Sequence, residues 1–117
     1  MGREELEKRT KEFAIRIIRF FASLPKNGIT DVLGYQLLRS GTSVGANYRE
    51  ANRAASRKDF THKINIAEKE CSESNYWLEL LEAEDLGDRA ERRRLLNESC
   101  ELLAIFTSIG KKSKIKE

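Results

Sequence analysis

"SRKDFTHKINIAEKECSESNYWLELL", residues 56–81, decides the fold. Phe60, Ile64, Ala67, Cys71, Ser74/Asn75, Leu78 and Leu81 recur at alternating spacings of four and three, which is the period of a single helix face. Ser56-Arg57-Lys58-Asp59 at its start is the S-x-x-D form of a capping box: the serine oxygen accepts a first-turn N–H and the acid reaches back. The pattern predicts a long helix over about residues 57–84.

Upstream, Leu33, Leu37, Val44, Tyr48 and Ala51 form a second helical stripe, starting near Thr30 or Asp31, where a hydroxyl or carboxylate can cap the first turn. Gly41 fills a place on it that a larger residue would normally take. Before it, Phe13, Ile17, Phe20/Phe21 and Leu24 make a stripe that stops at Pro25-Lys26-Asn27-Gly28. Downstream of a break at Leu86-Gly87-Asp88, Leu95/Leu96, Ser99/Cys100, Leu102/Leu103, Phe106 and Ile109 supply the last stripe, which ends at Gly110 and a lysine-rich tail suited to a helix C-terminus. Short connections force neighbouring helices to reverse direction. The expected fold is therefore all-α, an antiparallel up-and-down four-helix bundle in a single domain, 1–117, with helices at about 4–24, 31–53, 57–84 and 89–110.

Composition agrees with this reading. A chain of 117 residues with 39% hydrophobic and 35% charged residues and one proline favours helices and one domain. Its apolar runs are too short to span a bilayer, and it shows no secretory n-region and h-region. A cytoplasmic chain without a membrane partner is expected, with Cys71 and Cys100 as buried free thiols.

Gly41-Thr42-Ser43-Val44-Gly45 reads as G-x-S-x-G, the nucleophile elbow of a serine hydrolase. That elbow needs a strand before the serine, yet Leu37-Leu38-Arg39 and Val44, Tyr48 and Ala51 keep helical register on both sides. His62 with Asp59 or Asp85 would complete a triad, but the chain has no room for the supporting sheet. Asp59-x-x-His62 is half of a di-iron motif whose second histidine is missing, and His62 lies off the apolar stripe at a helix flank. The expectation is no enzyme, no cofactor and no metal site.

Two other groups of residues point to contacts. Gly41 and Gly45 allow close approach of another helix, and Glu73 and Trp77, an i,i+4 pair, flank the main stripe with Glu70; these five are the interface candidates. Charge is segregated: Arg39 to Lys63 holds six basic and two acidic residues, Glu68 to Asp88 one basic and eight acidic, and Lys111 to Glu117 four basic and one acidic. Arg39, Arg49, Arg53, Arg57, Lys58 and Lys63 surround the junction between the second and third helices. Arg57 and Lys58 fall in the first turn of a helix, where cations are unfavourable unless an anion joins them. These six are the nucleic-acid candidates, for RNA or DNA without base specificity, because no base-reading motif accompanies them. The competing reading is a protein-interaction scaffold with no nucleic-acid contact.

The stretch from Leu37 to Leu86 resembles the bacterial four helix bundle protein family, often labelled ribosomal RNA intervening-sequence proteins, and is similar to the accessory variability proteins of diversity-generating retroelements. Gln36, Leu37, Arg39, Ser40, Ser43, Val44, Asn47 and Glu50 carry the likeness on the second helix, and Phe60, Ala67, Glu70, Glu73, Trp77 and Leu78 on the third. The resemblance implies four helices and a ring-like homopentamer. For the retroelement relatives it also implies a basic surface that meets nucleic acid and a reverse transcriptase.

Overall fold

The structure, a computed structural model, describes residues 1–115. Four helices follow one another: α1 Arg3–Ser23, α2 Gly28–Asn52, α3 Arg57–Ala83 and α4 Arg89–Ile115. Each packs on its neighbour in sequence and α1 also meets α4, which closes an up-and-down bundle of 46 × 22 × 21 Å. Across the diagonal, side chains do the joining: the rings of Tyr48 on α2 and Phe106 on α4 stand edge to face, 5.5 Å apart. Ile17, Leu37, Ile64, Leu78, Leu95 and Leu102 are fully buried between the four helices, so most of each stripe read from spacing lies in the core, with Leu33, Phe60, Leu103 and Ile109 partly buried at its edge.

Helix boundaries follow from local chemistry. Ser56 Oγ accepts the Asp59 N–H at 3.1 Å, which starts α3 where the capping box places it. α2 begins three residues ahead of the expected Asp31, because the Asn27 side chain accepts the Thr30 N–H at 3.0 Å and so caps the helix before Thr30 or Asp31 can. α4 does not stop at Gly110. The glycine lies inside the helix and against Ile64, and Ser113 one turn later buries its hydroxyl in a hydrogen bond with Thr61. The lysine tail is therefore helical as far as Ile115, and the last two residues of the charge count lie outside the described residues.

The α3–α4 turn is built around a buried arginine. α3 closes with a Schellman pair, Leu86 N–H to Leu81 O at 2.9 Å and Asp85 N–H to Glu82 O at 3.1 Å, with Asp85 left-handed at φ 52°. Gly87 follows at φ 84°, with Phe20 so close that a side chain would collide with its ring. Arg92, 1% exposed, reaches back from α4 to Glu82, Asp85 and the carbonyls of Leu86 and Gly87. Burial pulls its pKa down, but the hydrogen bonds to Asp85 and Glu82 outweigh this and raise it, so the guanidinium stays charged. Apolar spacing alone gave no sign that a charged residue would fill this position.

Candidate nucleic-acid interface

The helix reversals set the charge of each end. α1 starts, α2 ends, α3 starts and α4 ends at one pole of the bundle. Arg53 is the C-cap residue of α2, and Arg57 and Lys58 form the first turn of α3; all three are exposed. Lys63, half-buried, follows one and a half turns later. The Thr61–Ser113 hydrogen bond then brings the end of α4 against the start of α3, which adds exposed Lys111, Lys112 and Lys114 to the same pole. None of these seven cations forms an ion pair with another described residue.

The six sequence-picked cations thus divide. Arg49, half-exposed, lies 3.9 Å from Glu7 Oε1, and Asn52 Nδ2 donates to the other oxygen of that carboxylate at 2.8 Å. Arg39 stands apart, about 15 Å along α2 from Arg49. It bridges α2 to α3, Nη1 to Glu70 at 3.3 Å and Nη2 to Glu73 at 3.1 Å. Its charge is balanced by two carboxylates of α3, and its place in the middle of α2 sets it apart from the pole. Lys111, Lys112 and Lys114, which spacing missed, take its place; the signal was there in Phe106, Gly110 and Ser113, which carry the α4 stripe on past the glycine.

The interface candidates are also redistributed. Gly41 and Gly45 face α1 of the same chain: an added Cβ would stand 2.9 Å from Ile17 Cγ1 and 3.0 Å from Thr10 Oγ1 respectively. They serve the close α1–α2 contact within one chain. Glu70 is buried beside Arg39; burial first, then a hydrogen bond with Glu73, raises its pKa, while Arg39 and Ser43 pull it down. Glu73 is only partly covered, and Trp77 packs on the core with its indole N–H buried and without an acceptor among the described residues.

The chemical motifs resolve in the same way. Ser43 Oγ donates to the Arg39 carbonyl at 2.7 Å within α2, and His62 is exposed on α3. Cys71 is buried and Cys100 is exposed, a correction to the expected buried pair: Cys100 sits one residue, hence about 100°, beyond the core-facing Ser99. Burial pushes the Cys71 thiol up to about 12. No helix among the described residues is long and apolar enough to cross a membrane.

A family model described as 23S rRNA-intervening sequence protein matches residues 4–108. Among solved structures, a protein of unknown function from the S23 ribosomal protein family of Bacteroides thetaiotaomicron VPI-5482 superposes with a TM-score of 0.85 at 41% identity, over 95% of this chain and 99% of that one. No curated protein matches.

Proposed function

The chain belongs to the 23S rRNA-intervening sequence protein family, and from that premise we propose that it is a non-enzymatic cytoplasmic assembly protein that binds nucleic acid at its basic pole. The observation that carries this reading is the gathering of Arg53, Arg57, Lys58, Lys63, Lys111, Lys112 and Lys114 at one end of the bundle, without carboxylate partners among the described residues. Phosphate answers two needs there. It neutralises like charges held close together, and it accepts from first-turn N–H groups of α3 that have no partner within the helix.

Such a surface reads the backbone and not the bases. Lysine is a point charge on a flexible stem, and nothing at the pole fixes a planar donor–acceptor pattern of the kind that distinguishes base edges. The ligand class is RNA or DNA of unrestricted sequence. Self-association completes the reading, and the pentamer implied by the resemblance is the proposed stoichiometry: several copies would present several basic poles to one strand, which raises avidity with no new contact.

The test is a triple charge removal, Arg53→Gln, Arg57→Gln and Lys58→Gln, measured by fluorescence anisotropy against single-stranded RNA and duplex DNA of unrelated sequences. These side chains are exposed, so the fold should persist, and affinity for both probes should fall about tenfold or more. A folded variant that binds both probes as the parent does would sink the assignment and favour a scaffold without nucleic-acid contact.

A further inference from the structure

The acidic stretch that begins at Glu68 does not make α3 acidic on its outer side. Glu68 accepts from Thr107 Oγ1 of α4 at 2.6 Å, Glu70 and Glu73 hold Arg39 of α2, and Glu82 holds Arg92 and Arg93 of α4. These carboxylates are engaged with the neighbouring helices. Outward, Lys58, His62, Asn65, Lys69, Ser72 and Tyr76 follow at spacings of four, three, four, three and four, so they share one stripe of α3 about 27 Å long. All are exposed except the half-buried Asn65, and none is acidic. The stripe starts in the basic pole at Lys58, and the exposed Glu79, nearly one turn beyond Tyr76, marks its far end.

Its chemistry changes along its length. Lys58 and Lys69, about 16 Å apart along the helix, form no ion pair with another described residue. On α4, Lys111 and Lys114 follow Thr107 at spacings of four and three, and the Thr107–Glu68 bond sets that flank against α3, so both lysines border the stripe near the pole. At the other end the Tyr76 side chain is 53% exposed and stands edge to face on Trp77 with ring centroids 5.3 Å apart. Trp77 packs on the core, so an exposed ring is held by an anchored one. Cations in line with an aromatic ring match a strand whose phosphates and base faces are both free. In a duplex each base is covered on both faces by its neighbours, and a rod with a persistence length of about 50 nm does not turn from the end of the bundle onto its flank.

We propose that the outer stripe of α3, from Lys58 to Tyr76, carries a single strand of RNA or DNA away from the basic pole and ends by stacking one base on the Tyr76 ring. The proposal rests on the nucleic-acid reading above and narrows its ligand to an unpaired strand. Lys58 and Lys69 meet phosphates, while His62, Asn65 and Ser72 offer donors to phosphate and sugar oxygens between them. Such a stripe spans about eight nucleotides at the 3.4 Å rise of a stacked strand, and fewer of a stretched one. No base is selected, because each has a face to stack.

The test compares Tyr76→Ala, Tyr76→Phe and Lys69→Gln with the parent by fluorescence anisotropy on single strands of RNA and DNA of about 12 nucleotides and on a duplex of the same length. Both side chains are exposed, so circular dichroism should match the parent. The parent should bind the strands more tightly than the duplex. Tyr76→Ala should lower strand affinity about 5- to 100-fold and leave duplex affinity unchanged, and Tyr76→Phe, which keeps the ring, should bind as the parent does. Lys69→Gln should lower the slope of log affinity against log salt by about 0.7 on the strands alone. A folded Tyr76→Ala protein that binds the strands like the parent, or loses strand and duplex binding equally, overturns the track and leaves the basic pole standing, as does a Tyr76→Phe protein as weak as Tyr76→Ala. A parent that binds none of the probes overturns the nucleic-acid reading itself, and the track with it.

Discussion

At the scale of single residues, two glycines in similar helical settings should respond to alanine in opposite directions. At Gly41 a new Cβ would stand 2.9 Å from Ile17 Cγ1, and Ile17 is fully buried and branched at its own Cβ, so it has nowhere to turn. Gly41→Ala should cost about 1–3 kcal/mol despite the gain in helix propensity. At Gly110 the nearest atoms are 3.5 and 3.7 Å away, ordinary contact, and Gly110→Ala should add about 0.5–1 kcal/mol. Urea unfolding of both variants checks the pair, and equal signs would contradict the contact geometry. Glu70 offers a second residue-scale prediction. With its pKa raised mainly by burial, it takes up a proton in the fold at a higher pH than in the unfolded chain. Acidification from above that raised pKa to the ordinary glutamate range therefore favours the fold through this group. Glu70→Gln resembles the protonated form, so its stability relative to the parent should be highest above the raised pKa and decline across that window as pH falls. A stability difference that stays flat with pH would show that Glu70 titrates as it does in the unfolded chain.

Between elements, the four contacts of the bundle are made of different material. α1 meets α2 through the close approach at Gly34, Gly41 and Gly45, while its contact with α4 is thin and closed by long polar side chains. Arg9 forks onto Glu98 with two bonds of 2.7 Å and reaches Glu101 at 2.9 Å, and Arg16 Nε meets Glu91 at 2.9 Å. The hydrogen bond to Glu98 is the main cause that raises the Arg9 pKa, against the lowering by burial. Arg9→Met should cost about 1–3 kcal/mol and speed amide exchange in α1 more than in α2 or α3. Uniform acceleration over all four helices would show that the fork does not act on this seam. The α3–α4 turn depends on Arg92, and Arg92→Met should cost about 3–5 kcal/mol in denaturant unfolding, because Asp85 and the Leu86 and Gly87 carbonyls lose their donor. A loss below about 1 kcal/mol would mean that the buried charge costs nearly as much as its bonds return. These elements also show how far the sequence could be read. The number, order and apolar faces of the helices were legible, since one period of 3.6 runs through each of them. The Asn27 cap, the run of α4 past Gly110 and the burial of Arg92 were not, because each depends on a tertiary partner or on a competition between neighbouring caps.

On the scale of the whole molecule, the candidate site was half legible for the same reason. A run of charge along the chain located the α2–α3 junction, but only the closed bundle brings Lys111, Lys112 and Lys114 beside it and turns Arg39 toward Glu70 and Glu73. The arrangement predicts how binding depends on salt. Each phosphate neutralised contributes about 0.9 to the slope of log affinity against log salt on duplex DNA, so Lys112→Gln with Lys114→Gln should lower that slope by about one to two. Lys26→Gln, at the opposite pole, should leave it unchanged. Equal losses from both variants would mean that the charge acts through the net field of the protein and not through contacts at one end. The proportions of the rod carry one more consequence. The cations occupy an end about 22 × 21 Å across and not the 46 Å flank. At 3.4 Å per base pair, such an end covers about six base pairs of duplex, so one chain leaves a footprint shorter than a helical turn. Any longer stretch protected from nuclease would have to grow in steps of that size, one for each additional chain, and the step length read from a protection ladder would reveal whether neighbouring ends lie in contact on the strand or are spaced apart.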